Sequence, residues 1–278
     1  MKNAKELKKH AISRLNCCWG EVVFIFFIKV GGITAFLLAW ALTANFLKVS
    51  GVVDFNGIVF DLSNGVLLAV TIFSVIALWA VYTPFDYGAK WFKLQQIRGK
   101  SLNARGIFSC YSSEKRVMQV LKLNGLVMLG KLAVFLPLCG LAILGFYIFG
   151  NIRAGGSDGA ISVVSSVCIL LLISCMLCLL WAINLKYAAV PYLYALDPEC
   201  PPKEIIRKSK LILKDNPNYL VESLLSLAWW IIPALMIFTL VFIIPYFQMV
   251  HTAAVNELIE AYESEKHIER EDAFAERV

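Results

Sequence analysis

Two lysines stand inside otherwise apolar runs, Lys29 within Val22 to Leu47 and Lys131 within Leu123 to Gly150. An ammonium group held in hydrocarbon costs roughly 3 kcal/mol on insertion scales, so an ionisable residue there is by default a functional candidate. No acid is expected in the same layer to pair with either lysine. Each lies about two turns into its run, close enough to one end for the long side chain to snorkel back to the interface. Two readings therefore stand side by side: snorkelling, or a candidate polar site within the membrane formed by Lys29 and Lys131.

Other residue types that support chemistry are sparsely placed. Cys175 and Cys178 have the two-residue spacing of redox and metal motifs, but they lie in the middle of an apolar run with no second pair nearby, and zinc needs four ligands. His10, His251 and His267 form no metal or triad motif. The loop AGGSDG at 154–159 lacks the Lys-Ser/Thr that follows a phosphate loop and reads as a turn. Glu21 and Glu222 sit where helices begin, a position that favours carboxylates electrostatically. No catalytic residue, cofactor site or metal ligand is assigned.

The elements that carry these residues follow from composition. The 278 residues are 59% hydrophobic and 17% charged, with a mean hydropathy of +0.70, outside the range of an ordinary soluble domain. The apolar residues come in blocks at 22–47, 65–84, 123–150 and 161–185, each long enough to cross about 30 Å of hydrocarbon as a helix. A fifth block, 223–256, holds 34 residues without Asp, Glu, Lys or Arg, and as one straight helix it would reach about 50 Å. Two crossings, at 219–237 and 240–258, with a turn near Thr239, suit it better. The runs do not alternate polar with apolar, which excludes barrel strands. The expectation is an all-α bundle of six transmembrane helices in one domain, 1–258, followed by a charged tail at 259–278. The first apolar run has no clear cleavage site and reads as a signal anchor.

Charge placement orients the bundle. Segment 1–19 carries five Lys and Arg residues, 86–118 seven and 186–216 six, whereas 48–64 and 151–159 carry one each, Lys48 and Arg153. By the positive-inside rule both termini and the long connections face the cytoplasm. None of the eight cysteines falls in an outer connection, so all are expected as reduced thiols.

Two inner segments read as amphipathic surface helices. From Lys203 to Lys214, Ile205, Ile206, Ser209, Ile212 and Leu213 share one face, and Lys203, Arg207, Lys210 and Lys214 the opposite one. At the amino terminus Ala4, Leu7, Ala11, Ile12, Leu15 and Cys18 form a stripe, interrupted by Lys8, with Lys5 and Lys9 away from it. Such helices bury their apolar side among acyl chains and offer cations to anionic lipid, making Lys203, Arg207, Lys210, Lys214, Lys5 and Lys9 candidate headgroup contacts. A fainter version at Ser113 to Leu121 suggests three hairpins, each preceded by a surface helix.

Two stretches carry a resemblance. Tyr187 to Leu220, with Tyr187, Asp197-Pro198 and Ser209, and the later Pro245-Tyr246 resemble the carboxyl half of an uncharacterised bacterial integral-membrane family, a domain of unknown function. The amino-terminal helix, Arg98-Gly99 and Ile107-Phe108 resemble its first half. The pattern is also similar to the membrane domain attached to some glycerophosphodiester phosphodiesterases, without their hydrolase domain. The resemblance implies six helices in a bacterial plasma membrane and supplies no activity. The chain has no glycine in IIPALMIFTL, where that family turns between its last two spans.

Three functions compete. The first is a non-enzymatic membrane protein that organises lipid or a partner protein in the bacterial envelope; the second is a small-solute or lipid transporter or channel with a polar cavity near Lys29 and Lys131. A membrane enzyme acting on headgroups would need clustered His, Asp or Glu near an interface, and the sequence has no such cluster. Anionic lipid is the expected partner and nucleic acid is not. A polar cavity lined by both lysines would favour transport, and a packed core the first reading.

Overall fold

A computed structural model describes residues 2–49, 65–100, 103–155, 159–234 and 237–275, and among them the chain is helical. Helices α1 (Ala4–Val49), α2 (Gly65–Ile97), α3 (Glu114–Gly155) and α4 (Gly159–Lys186) are followed by the shorter α5 (Val190–Leu196), α6 (Pro202–Asp215), α7 (Pro217–Leu225) and α8 (Ile231–Ala234), and by α9 (Ile237–Ala275). Two 3-10 segments, Ala104–Ser112 and Ala228–Trp230, lie before α3 and α8. Residues 50–64 of the outer connection expected at 48–64, and 156–158 of AGGSDG, fall outside the described residues.

Five helices are long and apolar enough to cross a membrane. Four of them, α1 to α4, leave their apolar stretches uncovered: only 6% to 17% of each stretch is buried, against 56% for α9. Exposed Phe24, Leu37, Leu42 and Phe46 on α1, with Phe73 and Val81 on α2, make a surface that water would not tolerate and acyl chains would. This identifies a helical membrane protein.

The chain divides into two compact units, Met1–Leu121 with Asn218–Val278, and Lys122–Pro217. In the first unit α1, α2 and α9 pack together on a core of Leu7, Ala11, Leu15, Val22, Phe92, Leu94, Met249, Ala253 and Leu258. The predicted amino-terminal stripe is this core face. A distinct amphipathic helix does precede the apolar run, because non-helical Cys18 (φ −134°, ψ 25°) divides α1 into two helical segments, but the apolar face of the first segment is covered by protein and not by acyl chains. Asn216, at the matching place before Tyr219, likewise breaks the helix (φ −134°, ψ 62°) and separates α6 from α7. The weakest expected copy has neither, since α3 starts at Glu114 and runs unbroken past Asn124.

Residues 219–237 do not form one helix. Residues 219–234 are divided among α7, the 3-10 turn and α8, and these fold back on α9 as a hairpin: the Thr239 hydroxyl donates to the Pro233 carbonyl and Trp230 meets Tyr246 edge to face at 5.6 Å. The hairpin packs at a definite level: Glu257 holds Lys2 at 2.5 Å, Phe242 stacks on Trp19 at 5.7 Å, and Gln248 and Asn256 accept from Lys93 (2.7 Å) and Arg98 (2.8 Å). It therefore lies beside residues 2–19 of α1 and 93–98 of α2, and not beside their uncovered stretches at 24–46 and 68–81.

Helix α2 runs 13 residues past the expected end at 84, to Ile97. Gly99, at φ +83°, closes it: its amide donates to the Gln96 carbonyl and that of Lys100 to the Gln95 carbonyl, both at 3.0 Å, a left-handed cap that suits glycine. The 3-10 segment lies against α2 so closely that a β-carbon on Gly88 would sit 1.8 Å from the Ile107 carbonyl oxygen. In the second unit α6 packs on α4 and α5, with Ile205, Ser209, Ile212 and Leu213 buried, and the Ser209 hydroxyl donates to the Lys186 carbonyl at 3.2 Å.

Candidate functional site

The first unit assembles an ionic cluster at the carboxyl-terminal end of the uncovered part of α2. Lys29 pairs with Asp86, and Asp86 also binds Lys90 at 2.7 Å, one turn further along α2. The Lys29 and Asp86 side chains are only 12% and 21% exposed, so solvent screens their attraction little. Tyr82 lies 5.8 Å from the Lys29 amine, and one turn beyond Lys90 the buried Lys93 donates to Gln248 of α9. His251, one turn along α9 from Gln248, faces the same lysines.

This corrects the expectation that Lys29 has no acid in its layer. Charge counting ended the span near Thr83, but α2 continues through Pro84 and Gly88 to Ile97 and carries Asp86 on to meet Lys29. The i,i+4 spacing of Asp86 and Lys90 was the available signal. The partner on α9 was not readable, because Gln248 and His251 lie in an apolar run without a motif.

The polar contacts continue toward the chain ends. Asn256 accepts from Arg98 and donates to Glu260 at 2.8 Å, while the Tyr219 hydroxyl donates to the Lys2 carbonyl at 3.0 Å. Lys8, which interrupts the amino-terminal stripe, donates to the Ser226 carbonyl at 2.6 Å, just past the end of α7. A cation suits a helix carboxyl terminus.

Lys131 belongs to the second unit and has its own partners. Its amine donates to the Asn184 side chain at 2.6 Å and lies 6.0 Å from the Tyr187 ring, which also faces Lys210 at 5.4 Å. A β-carbon on Gly130 would stand 2.5 Å from the Tyr187 hydroxyl, so the ring rests against α3 backbone. Tyr187 is thus a packing and cation-binding residue.

Lys203, Arg207, Lys210 and Lys214 are exposed on α6, as are Lys5 and Lys9 on α1. The apolar side of α6 is covered by protein, which corrects the expectation that it enters acyl chains: α4 and α5 already supply its apolar partner. Among the described residues no three His, Cys, Asp or Glu side chains converge as for a metal ion. Cys175 and Cys178 are exposed on α4, and the eight cysteines are free.

The thiols differ in reactivity in a way that can be measured. Burial pushes the Cys110 thiol above its ordinary range, outweighing the Ser109 hydrogen bond and Arg116. The thiolate is the nucleophile, so Cys110 is expected to alkylate more slowly than exposed Cys17 at pH 8, and mass spectrometry of iodoacetamide-treated protein would read the ratio. Equal rates would place Cys110 in solvent.

A cleft of about 190 Å³ opens between α1 and the α8–α9 hairpin, lined by Ile12, Leu15, Asn16, Trp19, Trp230, Phe242, Ile243 and Tyr246. It is apolar apart from Asn16 and the Tyr and Trp polar atoms, and neither Lys29 nor Lys131 lines it. No family model, curated protein or solved structure matches the chain.

Proposed function

We propose that the chain is a non-enzymatic multi-pass protein of a bacterial plasma membrane, a relative of the integral-membrane family it resembles, that organises lipid or a partner protein at the cytoplasmic face. The observation that carries this reading is α6. Its apolar side is committed to the protein's own packing, while Lys203, Arg207, Lys210 and Lys214 are exposed as a basic surface, Lys210 also lying over the Tyr187 ring. The paired state of Lys29, bound by Asp86 in a packed interface, supports the same reading over a solute path.

The six-span and four-span readings both return the termini to the cytoplasm. The level of the α7–α9 hairpin, beside the ends of α1 and α2 and not their uncovered stretches, favours four spans with the hairpin inserted from the cytoplasmic side. The transport reading rests on one observation, the charges of Lys29 on α1 and of Asp86 and Lys93 on α2, brought together out of full contact with solvent.

Each exposed cation near an anionic leaflet contributes on the order of 1 kcal/mol at low salt and less as screening rises. Replacing Lys203, Arg207, Lys210 and Lys214 by Gln is expected to reduce the anionic lipid retained through purification, with an unchanged unfolding midpoint. Retention and midpoint both unaltered would remove lipid as the ligand of this face and leave a protein partner. A transport role would appear as solute flux in proteoliposomes that Asp86→Asn alters without unfolding the protein.

A further inference from the structure

The cleft between α1 and the hairpin shares its helical face with three cations. Ile12, Leu15, Asn16 and Trp19 line it from α1, and the same face continues toward the amino terminus at three- and four-residue steps through Lys9, Lys8 and Lys5. About 10 Å of helix separates Lys5 from Ile12 at roughly 1.5 Å per residue. Beyond the other end of the cleft, α1 begins its uncovered stretch at Phe24. Cations and aromatic cleft therefore follow one another along one side of α1 as far as the kink at Cys18, and the lipid-facing stretch begins in the segment beyond it. The rim adds Trp229, 79% exposed, beside Trp230, the residue type that settles where headgroups meet acyl chains.

We infer that this cleft holds part of one acyl chain of an anionic phospholipid whose headgroup rests on Lys5, Lys8 and Lys9. The apolar lining accepts a hydrocarbon chain and offers a headgroup almost nothing. At about 190 Å³ the cleft is smaller than the roughly 300–1,000 Å³ of sites that enclose a whole small molecule, so it takes a chain segment and leaves the rest of the lipid outside. Lys8 is already fixed by the Ser226 carbonyl, which orders one cation of the three before lipid arrives. Lys5 and Lys9 are exposed beside it, and Glu257 of α9 is engaged by Lys2. The inference deepens the lipid-organising reading by naming a lipid class and a seat for it away from the α6 surface.

The test uses the full chain in phosphatidylcholine nanodiscs carrying phosphatidylglycerol with a photoreactive group at the end of one acyl chain. Irradiation and peptide mapping should label the segments containing Trp19 and Phe242 above the level of the uncovered Phe27 to Phe46 stretch. Ile12→Phe, a change at a half-exposed position that fills the cleft, should bring labelling down to that background while the unfolding midpoint holds. Lys5→Gln with Lys9→Gln should cut the preference for phosphatidylglycerol over an equally photoreactive phosphatidylcholine by roughly tenfold or more at low salt. Labelling of the cleft that ignores Ile12→Phe, or equal labelling by both lipids in the unmodified chain, would overturn the inference. So would an unlabelled cleft in a protein found dimeric by mass, which would give the cleft to a second copy. Labelling that responds here but lipid retention that ignores the four α6 substitutions would leave this site standing and remove the α6 reading alone.

Discussion

Asp86→Asn is expected to cost the folded protein about 3 kcal/mol, the scale on which breaking one side of a poorly solvated ion pair destabilises proteins. Two lysines share this carboxylate, and both would keep their charge without it. The loss should appear as a lower unfolding midpoint in mixed detergent. Because the penalty comes from stranded cations, the double variant Lys29→Met with Asp86→Leu should recover most of it, and a double-mutant cycle gives the coupling directly. A loss under about 1 kcal/mol would mean that solvent already screens the pair as it does at a surface.

The second large effect is expected at Gly88. Alanine for glycine inside a helix ordinarily stabilises by about 1 kcal/mol, so the sign of the change is informative. At Gly125, where a β-carbon meets nothing within 4 Å, that ordinary gain is expected. At Gly88 the same carbon would overlap the Ile107 carbonyl, and neither a helix nor a short 3-10 segment can yield cheaply. Gly88→Ala should therefore give a net loss of roughly 2 kcal/mol, as overpacking does. It should also lift the 3-10 segment from α2, so that Cys110 alkylates at a rate approaching that of Cys17. Stabilisation at both glycines would show that the 3-10 segment does not bear on α2.

The helical periodicity of the sequence told most where one face is covered and the other is not. Leu7, Ala11, Leu15 and Cys18 on α1, and Ile205, Ser209, Ile212 and Leu213 on α6, are the buried faces that the pattern predicts. What covers them was not legible, because a stripe suited to acyl chains is equally suited to another helix. The same ambiguity governs α9, whose charge-free run reads as a span although much of it is protein core. Asp86 was hidden for a different reason. A charge marks the end of a hydrophobic window whether or not the helix ends there, and Pro84 and Gly88 on either side of Asp86 read as a stop although α2 runs through both. Long-range partners such as Glu257 for Lys2 leave no local trace at all.

The union of Lys2 with Glu257 also bears on how the chain is made. The uncovered helices α1 to α4 present enough apolar surface to partition into lipid one after another as they leave the ribosome. The core of the first unit, by contrast, joins α1 to α9, with all of the second unit between them in the chain. Leu7, Leu15 and Val22 stay without their α9 neighbours until α9 has emerged. A nascent protein that stops before α9 would therefore sit in the bilayer with an open seam along α1 and α2, the kind of surface that membrane quality-control proteases engage.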